Sequence, residues 1–81
     1  MDIHHLVKMA NSIGDFFRSE PDKDKAAKGV ANHIRSFWEP RMRRQIYSHI
    51  DQAAGAGLDE LVLNALQTHR KDLEVKSVGQ L

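Results

Sequence analysis

The chain has 81 residues, no cysteine, and 12 Lys and Arg against 11 Asp and Glu. That length allows one domain over 1–81 with a modest core, burying roughly 60–65% of what the unfolded chain exposes. Without cysteine there is no disulfide, no thiolate nucleophile and no Cys-ligated zinc or iron–sulfur centre, and the near-neutral balance argues against a chain that grips polyanions with its whole surface.

The first segment places Ile3, Leu6, Val7, Ala10, Ile13, Gly14 and Phe17 at spacings of three and four. That is the stripe of an amphipathic helix. Asp2 is its expected N-cap. Gly14 weakens such a helix by about 1 kcal/mol relative to Ala, so it is expected to serve close approach by a neighbour. Pro21 disfavours helical geometry at Glu20, which ends the helix near Ser19.

A turn, SEPDKDK, leads to a second helix starting at Pro21 or Asp22, with Asp22 and Asp24 favourably placed at its positive end. Its apolar stripe is Ala27, Val30, Ala31, Ile34, Phe37 and Trp38. Pro40 then stops the hydrogen-bond ladder. It suits the first position of a third helix, where a missing N–H costs nothing. The third stripe is Met42, Ile46, His49, Ile50 and Ala53, ended by Gly55 and Gly57 as cap and turn residues. Asp59 is the expected cap of a fourth helix, with Leu58 and Leu63 spaced as a hydrophobic staple. Leu58, Val62, Ala65, Leu66, His69 and Leu73 form its stripe, and the tail over 74–81 is expected to fray. Strand formers never alternate for long. The fold class is therefore an all-α, single-domain bundle of about four short helices.

The chemistry-bearing residues do not form a catalytic pattern. His4 and His5 are adjacent, so on a helix they point about 100° apart and do not chelate one ion. His33, His49 and His69 fall in no HExxH or Glu-x-x-His arrangement, and no metal site is expected. No serine lies in a G-x-S-x-G elbow. The AGAGL run lacks the lysine and preceding strand of a phosphate loop. No catalytic, cofactor-binding or metal-ligating residues are assigned.

What stands out is HIRSFWEPRMRRQI, from His33 to Ile46. Here Phe37, Trp38, Glu39 and Pro40 form a corner beside Arg41, Arg43 and Arg44, with Arg35 just before it. A solvated basic face is the bland alternative. Against it, every cation of the cluster is Arg, the type suited to interfacial ion pairs. Trp and Arg are also the residues most enriched at interface hot spots, and a proline holds the corner on a fixed frame. The expected partner-binding residues are Phe37, Trp38, Glu39, Pro40, Arg41, Arg43 and Arg44. A rival reading gives the same patch to nucleic acid, with Trp38 stacking a base and the arginines holding phosphates. The acids at Asp15, Glu20, Asp22, Asp24, Glu39 and Asp51 count against that rival. Trp38 in the core is the alternative for that residue.

Three long words carry a family resemblance: IHHLVKMANSIGDFF, PDKDKAAKGVANHIRSFWEPRMRRQI and GAGLDELVLNAL. Together they resemble the delta subunit of NAD-dependent, molybdenum- or tungsten-containing formate dehydrogenases, from Asp2 to about Leu73. The most specific pieces are Lys8-Met9-Ala10-Asn11, Ile13-Gly14 with Phe16-Phe17, and Asn32 to Arg43. The family often has Asp at the place of Glu39 and Ser at that of Asp59.

The resemblance implies a non-catalytic accessory subunit that holds no cofactor of its own. Its partner would be the alpha subunit, which carries the molybdopterin cofactor and iron–sulfur clusters, within a complex whose other subunits carry flavin and the NAD site. Its role would lie in complex assembly or molybdenum-cofactor insertion. No nucleic-acid partner is then expected. No apolar run approaches the roughly 20 residues that span a bilayer, and MDIHHLVKMANSIG does not read as a secretory signal. With the absence of cysteine, the expected location is cytoplasmic.

Overall fold

The computed structural model describes residues 2–75. The regular secondary structure of the described residues is all helical, with five helices in the order α1 (Ile3–Phe17), α2 (Lys23–Phe37), α3 (Pro40–Ala53), α4 (Glu60–Thr68) and α5 (Arg70–Leu73). No strand occurs among the described residues.

Local chemistry sets the first three starts. The Asp2 carboxylate accepts from the His4 N–H at 2.9 Å, closing the open end of α1. Asp22 does the same for α2, accepting from Asp24 and Lys25. Pro40 stands at the start of α3, as its spacing predicts. α1 ends at Phe17, two residues before the expected Ser19.

α2 packs against α1, α4 and α5, and α1 also meets α3 and α4. Leu6 and Ala10 of α1, Val30 and Ile34 of α2, Ile46 of α3, Val62 and Leu66 of α4, and Leu73 of α5 are all buried in one shared core. Gly14 lies where α1 crosses α4. A Cβ built there would stand 2.5 Å from Val62 Cγ2, so only a hydrogen fits. The close approach expected from the sequence is thus made by α4.

The turn after α3 is left-handed. Ala54 (φ 56°) takes the C-cap, followed by Gly55 (φ 71°) and Gly57 (φ 89°). The glycines enter this region without the steric cost that a side chain imposes. Leu58 and Leu63 both bring Cδ1 to within 3.3 Å of where a Cβ on Gly55 would be, consistent with the staple at the start of α4.

Four expectations require correction. Phe37 is 73% exposed and leaves the core stripe to Trp38, which is 5% exposed. The helix ends at Phe37, and Trp38 adopts an extended backbone (φ −90°, ψ 133°), with its ring turned inward. Ala53 is exposed, at the last turn of α3. Asp59 occupies the cap position of α4 but makes no capping bond; its carboxylate is held 2.8 Å from Arg18 Nη2 instead. The fourth helix is also not continuous to Leu73. It breaks at His69 (φ −104°, ψ 23°), and α5 follows as a separate turn. Of the tail expected to fray, Glu74 and Val75 are described, and 76–81 lie outside the described residues.

Candidate functional site

The corner between α2 and α3 divides its residues between two directions. Trp38 is in the core, beneath the corner. Phe37, Glu39, Pro40, Arg41 and Arg44 are exposed. The aromatic presented outward is thus Phe37, whose ring lies 4.7 Å, centroid to centroid, from that of His33. With Trp38 enclosed, the base-stacking role considered for it has no exposed ring to work with.

Arg43 is the second residue to turn inward. It is half-buried, and its Nη1 donates to the Leu73 carbonyl at 3.3 Å. Its Nε is enclosed without a hydrogen-bond partner among the described residues. One turn later on α3, the Tyr47 hydroxyl donates to the Leu66 carbonyl at 2.7 Å. Both acceptors lie near helix C-terminal ends, where carbonyls lack intrahelical donors. The two α3 side chains therefore serve the ends of α4 and α5. Arg43 has a structural task that sequence reasoning assigned to a partner, and Tyr47 was absent from the predicted stripe.

Arg70 completes this inner side. It makes two parallel bonds to Asp51, at 2.9 and 2.8 Å, and a third to Glu74. Its guanidinium also lies 4.8 Å from the centre of the Tyr47 ring, a favourable placement of a cation on an aromatic face. The bonds to Asp51 and Glu74 raise Arg70 above its usual range. The bond from Arg70 in turn holds Asp51 below the usual carboxylate range. Burial pushes the Tyr47 phenol well above its ordinary value.

The outer side of the corner differs in kind. All ion pairs among the described residues use Arg18 or Arg70. Arg35, Arg41 and Arg44 have no carboxylate within salt-bridge reach among the described residues; Arg41 and Arg44 follow Pro40 in the first turns of α3, and Arg44 also borders the groove lined by Tyr47, Asp51, Arg70 and Glu74. A partner presenting carboxylates would meet cations whose charge is not already neutralised. Pro40 and the enclosed Trp38 fix the backbone beneath them, which lowers the ordering cost of docking.

Midway along α1, Asn11 acts as a clamp that sequence reasoning did not single out for geometry. Its Nδ2 donates to the Gly57 carbonyl and its Oδ1 accepts from the Asp59 N–H, both at 2.9 Å. Arg18 bridges Asp15 and Asp59 at 2.7 and 2.8 Å, and those bonds, with Asp15 the larger influence, raise it above its usual range. Together they tie the start of α4 to α1.

The histidines are dispersed. His4 and His5 are exposed, His33 rests on Phe37, and His49 Nε2 lies 2.7 Å from the Ala56 carbonyl. Among the described residues no three His, Asp or Glu side chains gather as a metal set. No described helix is long and apolar enough to cross a membrane.

Residues 5–66, well over half of the chain, match the family model for the NADH-dependent formate dehydrogenase delta subunit FdsD. No curated protein and no solved structure gives a match.

Proposed function

The chain belongs to the family of NADH-dependent formate dehydrogenase delta subunits, and from that premise we propose that it is a non-catalytic accessory subunit. It binds the large catalytic subunit in the cytoplasm through the outer side of the α2–α3 corner. There it supports assembly of the complex or insertion of the molybdenum cofactor. The observation that carries this reading is the exposed Phe37 beside Arg41 and Arg44, cations with no carboxylate partner within the described chain. Phe37 supplies apolar area, worth about 2 kcal/mol when buried in a partner pocket. Arg41 and Arg44 supply charge-assisted bonds to carboxylates, often bidentate. Glu39 and Pro40 complete the rim, while Trp38 and Arg43 hold the corner from within.

The test is co-expression of the tagged chain with the formate dehydrogenase subunits. F37S and R41E are expected to reduce the co-purifying large subunit severalfold while leaving the urea midpoint of the isolated chain unchanged. Retention of the large subunit at wild-type levels by the F37S/R41E double variant would refute the docking assignment. Formate oxidation by the purified chain alone would refute the non-catalytic assignment.

A further inference from the structure

α5 is a single turn of four residues, set apart from α4 by the break at His69. A turn this short does not hold itself together in water. Its attachments are tertiary. The Leu73 side chain, 1% exposed, sits in the core. Arg70 reaches across to Asp51 of α3 and also binds Glu74, just after the turn. Arg43 of α3 donates to the Leu73 carbonyl. Two arginine ties therefore join α5 to α3, although α5 follows α4 in the chain.

The two ties differ in quality. Arg70 holds Asp51 through paired bonds of 2.9 and 2.8 Å, and both side chains reach solvent. Arg43 is held less well. Its bond of 3.3 Å ends on a neutral carbonyl and is longer than the usual distance of about 2.9 Å. Its Nε is enclosed with no partner among the described residues. Such a cation has given up hydration that the protein does not fully replace. The inward position of Arg43 thus depends on α5 lying against it. Arg44 is the next residue, about 100° round the helix, and Tyr47 falls between the two directions. Arg44, Tyr47 and Arg70 line one groove. With α5 away from α3, the cations of the corner continue from Arg41 and Arg44 to Arg43.

Resting on the reading of this chain as a docking subunit, we propose that α5 is a latch that withholds Arg43 from the docking surface. Release of α5, with the rest of the bundle intact, frees the Arg43 guanidinium to pair with a carboxylate of the large subunit. The Arg70–Asp51 pair sets how often the latch opens. Leu73 has to leave the core for this, so the open form is a minor population of the free chain, and the partner draws on it. Loss of an exposed ion pair raises that population severalfold. The gain in affinity cannot exceed the rise in the open population.

Hydrogen exchange on the isolated chain tests the latch. D51A and R70Q are each expected to speed exchange of the Leu73 and Glu74 amides and of the Arg43 Nε–H by one common, severalfold factor. The Ile34 amide, inside α2, is expected to keep its rate. Arg43 Nε–H exchange that does not follow the Leu73 amide would overturn the latch. Titration of purified formate dehydrogenase complex, assembled without this chain, tests what the latch controls. D51A and R70Q change the net charge in opposite directions, yet both are expected to tighten binding severalfold. In an R43Q or R43M background neither is expected to do so. Opposite shifts in the two variants, or a gain that survives without Arg43, would overturn the proposal. Weak binding by F37S and R41E, beside no response to D51A and R70Q, would overturn the latch and leave the corner standing. Wild-type affinity for F37S and R41E would overturn the corner, while the exchange measurement, which needs no partner, still decides whether α5 covers Arg43.

Discussion

Replacing Tyr47 by Phe removes one oxygen and leaves the ring in place. In the folded chain that oxygen donates to the Leu66 carbonyl at 2.7 Å, from a side chain that is almost wholly enclosed. The Leu66 carbonyl lies at the C-terminal end of α4, just before the break at His69. A lost hydrogen bond of this kind is worth about 1 kcal/mol, and an acceptor left dry adds to that, giving about 1.5–2 kcal/mol in total. Urea unfolding followed by the fluorescence of Trp38, the single tryptophan, reads the loss as a lower midpoint at unchanged slope.

The same residue predicts an alkaline limit. Burial raises the folded phenol above its ordinary value, so the unfolded chain ionises first as pH rises. The stabilisation from Tyr47 is complete below about pH 10 and declines above it until the folded phenol itself ionises. At pH 11 the wild type is expected to have lost about 1.4 kcal/mol that Y47F does not lose. A change of under about 0.5 kcal/mol in Y47F at neutral pH, the scale of an ordinary surface substitution, would refute the reasoning. So would equal alkaline losses in the two proteins.

Two further substitutions test the frame beneath the corner. G14A forces a methyl group against Val62 Cγ2, at a cost of about 1–3 kcal/mol for overpacking, which at mid-range outweighs the helix-propensity gain of about 1 kcal/mol. A lower melting temperature is expected, and a higher one would mean that α1 and α4 do not meet at this glycine. N11A removes both bonds to the Gly57–Asp59 loop; faster hydrogen exchange at the Asp59 amide is expected, and unchanged protection would contradict the clamp.

The helices of this chain were legible because their signals are local. Asp2, Asp22 and Pro40 act on the next few residues, and spacings of three and four mark the buried faces of α1 and α2. Phe37 and Trp38 fit the same stripe equally well. What separates them is the extended backbone at Trp38, a property of the corner and not of the spacing. Asp59 has the right type for a cap, but Arg18, far away in the chain, takes its carboxylate. The break at His69 carries no proline or glycine to announce it. Tyr47 lies outside the stripe because its hydroxyl serves the end of α4. A lone tyrosine one turn after Arg43 is the signal available for it, since a buried hydroxyl needs a partner. The family resemblance agreed with the match over residues 5–66. The split of the corner into an inner pair, Trp38 and Arg43, and an outer set was visible only in three dimensions.

The most direct test of docking through the outer corner is site-specific photo-crosslinking in the assembled formate dehydrogenase complex. A photoreactive residue at position 41 or 44 is expected to crosslink to the large catalytic subunit, and one at Glu60, at the start of α4, is not. Crosslinks to that subunit from position 60 with none from 41 or 44 would contradict the account.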